Sequence, residues 1–357
     1  MVKNKSNLIS IDIFRAVAAL GVYCYHSALG SILYKYLKIP FIKNIDAFGA
    51  TYSVPLFFLI SGYCIHLSNL KYIKSQQPLP LAQYYKKRLL RIFPPYLAAL
   101  LVSILINFYT KSPNQPTSND LLVHLFCLQG FTVPYFNTIN FVLWTISVEV
   151  AFYLIYPLFY YLRNRFSLNY AMLLVLGITV VNITFFSFQK SPSLPQFFWV
   201  GNLWFAWCSG AFIADKIYFD SEVINNTRYK VYYLIILLLF VLSFFNSYSF
   251  LSIPFYQFKI LIWTGPLAYI ISKEEWLQKH NNFFIKVLTY IGLSSYSLYL
   301  LHEPLILLKN YLINLYLTKN LKIPFLIISI FIIPYITWLN YCFVEKPFIG
   351  KKKPSNV

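Results

Sequence analysis

The chain has 357 residues, 58% of them hydrophobic and 11% charged, against about 25% charged in an average soluble domain, which excludes an ordinary soluble globular protein. The 34 Phe and 31 Tyr exclude a disordered chain, because so much apolar surface does not stay solvated. The net charge of +19 would signal a nucleic-acid partner in a soluble chain, but here the basic residues alternate between loops, as cytoplasmic anchors of spanning helices do, so no nucleic-acid partner is expected.

A span needs about 20 apolar residues at a rise of about 1.5 Å each. The apolar runs predict ten, near 8–30, 51–70, 92–110, 140–162, 168–188, 195–215, 230–249, 253–272, 286–308 and 321–343. The expected fold is therefore an all-α integral membrane protein of about ten transmembrane helices. The start, MVKNKSNLIS, lacks a small-residue cleavage site and reads as part of a retained first helix. The stretch 121–135, broken by Gly130 and Pro134, is too short to span and is expected at the interface. With the N-terminus inside, twenty of the 30 Lys and Arg fall on the cytoplasmic side and seven on the other, so both termini are expected in the cytoplasm. No inverted internal repeat of the kind common in transporters is visible. Five cysteines scattered in apolar context, with no CxxC spacing, suggest helix packing and no metal site.

Ionisable groups inside a span cost about 2.5 to 3.5 kcal/mol each on insertion scales, so each needs a reason. Arg15 and His26 of the first span are 11 residues apart, which puts them on one helix face about 16 Å apart in height. They read either as a functional pair or as a snorkelling arginine and a satisfied interior histidine. In the second span, Gly62 permits close helix approach and Ser61 offers a polar contact. Arg88 and Arg91, three residues apart on the helix entering the third span, suit a phosphate or serve as ordinary positive-inside anchors. Glu149 of the fourth span must be protonated or paired, with a His or Arg as natural partner. His302 and Glu303 of the ninth span lie near the height of His26, although Glu303 with Pro304 also reads as an outer boundary. His66 and His124 have no partner that sequence identifies. His26, Glu149 and His302 would then share one polar chamber.

Six segments in order resemble a known family. They are the Arg15/His26 pair, PLFFLISGY (55–63), RLLRIFPPY (88–96), WTISVE (144–149) followed by Phe152, Tyr153 and Pro157, SYSLYLLHEP (295–304), and VEKP (344–347). This pattern is similar to the acyltransferase-3 family of integral membrane O-acyltransferases, and the resemblance covers essentially the whole chain. It implies ten helices, an acyl-coenzyme A donor reached from the cytoplasm, and transfer to a hydroxyl, often on a sugar of a surface glycan. By that resemblance His26 corresponds to the essential histidine and Arg15 to its partner. Some members carry an extracytoplasmic esterase-like domain. Here the expected division is a membrane domain over 1–343 and a short basic cytoplasmic tail over 344–357, with no such domain fused.

The anionic end of a coenzyme A thioester cannot enter hydrocarbon, whereas its long arm can. Arg15, Arg88 and Arg91, with Ser61 and Tyr63, are the expected donor-binding residues. His26 would take the proton of the acceptor hydroxyl while Glu149 orients the imidazole, or His26 would itself carry the acyl group. Trp144, Ser147, His302 and Glu303 are candidates for the acceptor or the developing oxyanion. Acetyl-coenzyme A is the default donor, no bound cofactor or metal is expected, and the acceptor is a glycan or lipid-linked sugar. The abundance of Lys, Asn, Ile, Phe and Tyr suggests an AT-rich bacterial gene and so surface-polysaccharide modification; the expected location is the bacterial inner membrane, as a multi-pass protein. A secondary transporter using Arg15, His26 and Glu149 as a relay remains open, as does a non-catalytic lipid-scrambling protein.

Overall fold

The computed structural model describes residues 8–112, 115–188, 193–219, 261–317 and 319–349. Every regular element among these residues is helical: α1 (Ile9–His26), α2 (Leu29–Leu37), α3 (Asn44–Lys74), α4 (Leu81–Tyr109), α5 (Ser118–Leu125), α6 (Trp144–Arg165), α7 (Leu168–Ser187), α8 (Leu194–Phe197), α9 (Val200–Phe219), α10 (Thr264–Ser272), α11 (Glu274–Lys279), α12 (Phe283–Leu293), α13 (Ser295–Tyr316) and α14 (Lys319–Asn340), with short 3₁₀ turns and a π-helical turn at Tyr341–Glu345. Five helical stretches are long and apolar enough to cross a bilayer, and seven if each of two bent pairs counts as one span. The chain is an all-α membrane protein. The expected span 230–249 and residues 253–260 of the expected span 253–272 lie outside the described residues.

Two expected spans bend. The first breaks after His26, where α2 leaves α1 at 68°. There Ser27 turns its hydroxyl onto the Tyr23 carbonyl and Ala28 sits in the left-handed region at φ 51°, a conformation a helix cannot continue through. The ninth breaks at Ser294, with α12 and α13 at 70°. Ser294 turns its hydroxyl back onto the Tyr290 carbonyl, a bond that competes with the helix ladder, and Gly292 is pressed against the backbone of α1. A Cβ there would stand 1.9 Å from the Asp12 carbonyl oxygen. Beyond the break α13 runs on to Tyr316, so Glu303–Pro304 lies inside a helix and marks no boundary. The expected span 195–215 appears as α9, which falls outside the membrane-length set because Asn202, Ser209, Asp215 and Lys216 dilute its apolar run.

The stretch 121–135 does not span: α5 is closed by a capping box in which Thr117 and Asp120 satisfy each other's backbone N–H, and a 3₁₀ turn at Gln129–Phe131 follows. Around the core, α3 packs along both α1 and α9. At the α3/α9 crossing, a Cβ on Gly62 would lie 1.9 Å from the Trp207 carbonyl oxygen, and one on Gly210 1.9 Å from that of Leu59. Only glycines allow this approach, which is how membrane helices gain packing without a hydrophobic drive. Tyr63, Tyr96, Phe152, Tyr156, Phe159 and Trp207 fill the interior.

Candidate active site

Helices α1, α3, α4, α6 and α13 enclose a cavity of about 830 Å³, counting its space open to the surroundings. Arg15, Arg88 and Arg91 line it together with Ser61, Cys64, Glu149, Tyr153 and Tyr296, and Phe57, Thr145 and Tyr299 line it as well. Three widely separated segments of the sequence thus place three guanidinium groups and one carboxylate on a single hollow. Such a lining suits an elongated ligand that is partly anionic and partly apolar.

Arg15, Arg88 and Glu149 are each aimed by a neighbour. Arg15 donates from Nη1 to Asp12 Oδ1 at 3.0 Å, one turn earlier on the same helix, and from Nη2 to the Cys64 sulfur at 3.4 Å. Arg88 donates to the Ser68 hydroxyl at 3.3 Å and lies over the ring of Tyr84. The Ser61 hydroxyl donates to Glu149 Oε1 at 2.5 Å and accepts from the Trp207 indole N–H at 3.1 Å. The close approach at Gly62 is what brings Trp207 to Ser61. Glu149 is therefore gathered with Ser61 and the arginines, and its hydrogen bond does not go to His26.

His26 ends α1 at the opposite end of that helix from Asp12 and Arg15. Its ring and that of His302 meet in an edge-to-face pair with centroids 5.0 Å apart, and it lies 6.0 Å from the ring of Phe141. His302 in turn lies 5.8 Å from the ring of Tyr299, and Tyr299 lines the cavity. The Tyr299 hydroxyl donates to the Val142 carbonyl at 3.2 Å and lies 3.0 Å from that of Thr145. A column of side chains, Tyr299, His302 and His26, thus leads from the cavity to the histidine of the first helix.

Other candidates go elsewhere. Tyr63 is fully buried, its hydroxyl has no partner among the described residues, and it does not line the cavity. Ser147 accepts the Gly130 backbone N–H at 3.0 Å, which fixes the 3₁₀ turn onto α6. Trp144 clusters with Phe136, at 5.6 Å, and Phe198, at 4.2 Å, which also stack on each other. Glu303 is partly buried one residue along from His302 and lies off the cavity lining.

Sequence reasoning left His66 and His124 without partners, and the structure supplies them. His66 Nε2 meets Asp215 Oδ2 at 2.9 Å and its Nδ1 meets the Tyr156 hydroxyl at 3.2 Å. Arg163 grips the same carboxylate with two bonds, of 2.7 and 3.0 Å. His124 Nδ1 donates to the Asp120 carbonyl at 2.8 Å. Glu345 was missed as a site neighbour: it is buried, accepts from the Ser297 hydroxyl at 2.8 Å, and feels the charges of Arg91 and Arg15. The VEKP segment marked its position but gave it no partner.

A family described as an acyltransferase domain matches residues 8–339. The peptidoglycan O-acetyltransferase OatA of Listeria monocytogenes is 25% identical over 362 residues, covering 95% of this chain and 55% of its own length. The O-acetyltransferase OatA of Staphylococcus aureus is 26% identical over 375 residues, covering 96% of this chain and 57% of its own. The chain therefore spans a little over half the length of these relatives. No solved structure matches it.

Proposed function

Because the chain belongs to the acyltransferase-3 family, we propose that its helical bundle transfers an acyl group, acetyl by default, from a cytoplasmic coenzyme A thioester to a hydroxyl of a surface glycan or its lipid-linked precursor. The observation that carries this reading is the cavity in which Arg15, Arg88 and Arg91 converge, joined to His26 through Tyr299 and His302. Forked, permanently charged donors suit phosphates and the polar arm of the donor. The apolar wall of Phe57, Ile60 and Ile146 suits the neutral remainder.

In the proposed reaction His26 accepts the proton of the acceptor hydroxyl as its oxygen attacks the thioester carbon. The carbon–sulfur bond breaks, the thiolate leaves, and the proton held on His26 returns to it, so that an ester and free coenzyme A result. Ser61 and Glu149 belong with the donor in this scheme. Ten spans, both ends in the cytoplasm, a membrane domain over 1–343 with a basic tail over 344–357, and residence in a bacterial inner membrane complete the proposal. Basic residues clustered at 71–91 support that orientation.

The test is thioester consumption by the purified protein. Acetyl-coenzyme A should lose its acetyl group only when a hydroxyl acceptor is supplied, and free thiol should appear in equal amount. Movement of a substrate across vesicles with no thioester consumed would mark a secondary transporter instead.

A further inference from the structure

We propose that His302 is the positioning residue of His26: a neutral imidazole whose Nε2 lone pair receives one ring N–H of His26 and leaves the other His26 nitrogen free to act as base. The inference rests on the reading of His26 as the general base, and it concerns what orients that base once Glu149 is found with Ser61.

The first observation is a locked tautomer. His302 Nδ1 lies 3.1 Å from the carbonyl oxygen of Leu298, one turn back on α13. A carbonyl only accepts, so Nδ1 carries the hydrogen and Nε2 is left with a lone pair. The second is that this lone pair is stranded. His302 is 1% exposed and its Nε2 has no partner among the described residues, a costly state if nothing relieves it. The third is what stands beside the His302 ring. The His26 ring lies 5.0 Å away, centroid to centroid, in an edge-to-face pose. Two imidazoles sharing an N–H···N bond of about 2.9 Å have centres up to about 5.2 Å apart, so rotation about the His26 side chain brings the bond into reach.

His26 is placed to make that rotation. It is the last residue of α1, before the left-handed break at Ala28, it is only partly buried, and among the described residues no hydrogen bond holds its imidazole. The chemistry then balances simply. With one N–H given to His302, neutral His26 presents a lone pair to the acceptor hydroxyl. On taking the proton it becomes an imidazolium whose second N–H is still held, and His302 gains and loses no proton. A carboxylate in that place would carry the cost of a second buried charge, which a neutral ring avoids.

The test compares His302→Gln with His302→Asn in purified protein. The Gln amide reaches the place of Nε2, whereas the Asn amide reaches only that of Nδ1. The Gln variant should keep most of its kcat. The Asn variant should lose about 10- to 100-fold in kcat, the worth of one such hydrogen bond, with KM for acyl-coenzyme A unchanged in both. In a His26→Ala background the Asn change should cost nothing further, because residues acting as a unit are not additive. Equal kcat for the Gln and Asn variants, at equal yield and melting temperature, would overturn the proposal, and so would an undiminished Asn penalty without His26. Full activity of His26→Ala itself would instead remove the general-base reading beneath it.

Discussion

Arg15 shows how one side chain is prepared for a ligand. Its guanidinium is braced by Asp12 at 3.0 Å and faces the cavity beside Cys64, three turns along α1 from His26. Arg15→Lys keeps the charge but loses the fork. It should raise KM for acyl-coenzyme A about 10- to 100-fold, the loss of one charge-assisted hydrogen bond of about 1.5 to 3 kcal/mol, while KM for the acceptor changes far less. Steady-state kinetics against each substrate checks it, and equal shifts for both substrates would contradict a donor role. The shared face of Arg15 and His26 was legible from an 11-residue spacing alone, because helix geometry is local. The bonds of Glu149 with Ser61, across 88 positions, and of His66 with Asp215, across 149, were not. They depend on which helices become neighbours, and hydropathy carries no information about that.

At the scale of elements, the α3/α9 crossing joins packing to the site. Gly62→Ala should place a methyl against the Trp207 carbonyl, 1.9 Å from its ideal Cβ. Overpacking of this kind costs about 1 to 3 kcal/mol, so the variant should melt at lower temperature and lose the bond from Trp207 to Ser61. Gly177→Ala in α7 is the control, since nothing among the described residues lies within 4 Å of its Cβ position and helix propensity alone favours the change by about 1 kcal/mol.

The cap of α5 gives a pH dependence. Burial raises the Asp120 carboxyl, but hydrogen bonds from the Thr117 hydroxyl and backbone outweigh it and hold the group below the usual carboxylate range. The folded value is depressed, so the cap contributes fully above the unfolded value of about 3.9 and is lost as pH falls through the lower folded one. Asp120→Asn should remove that acid-side slope and about 0.5 to 2 kcal/mol of stability at neutral pH, as read by thermal melting from pH 3 to 7. A variant with the parent's slope would show that the cap contributes nothing. Helix positions were legible from apolar runs, whereas the two bends were not. Each comes from a serine bonding back onto its own helix, and at Ser294 also from Gly292 pressed against α1, a contact 280 positions away in the chain.

The whole molecule must bring donor and acceptor from opposite faces if the charge distribution sets its orientation. In a background lacking the native cysteines, a Cys replacing Lys38 should react with an impermeant reagent added outside, and a Cys replacing Lys74 should not. The reverse pattern would put the Arg88 and Arg91 end on the wrong side for coenzyme A. The all-helical membrane class followed from composition, and the family from six segments in order. The assembly of one cavity from α1, α3, α4, α6 and α13, with Glu345 buried against Ser297 of α13, could only be seen once the bundle was closed.

In the proposed function this bundle acylates a surface hydroxyl with His26 as the base. Mass spectrometry of surface glycans tests it most directly, in cells lacking the gene and complemented with either the parent chain or His26→Ala, at matched membrane levels of the two proteins. The parent should add the mass of one acyl group to a glycan residue, and His26→Ala should leave the glycan as it is in the deletion strain. An acyl increment of parental size with His26→Ala, or none with the parent, would contradict the account.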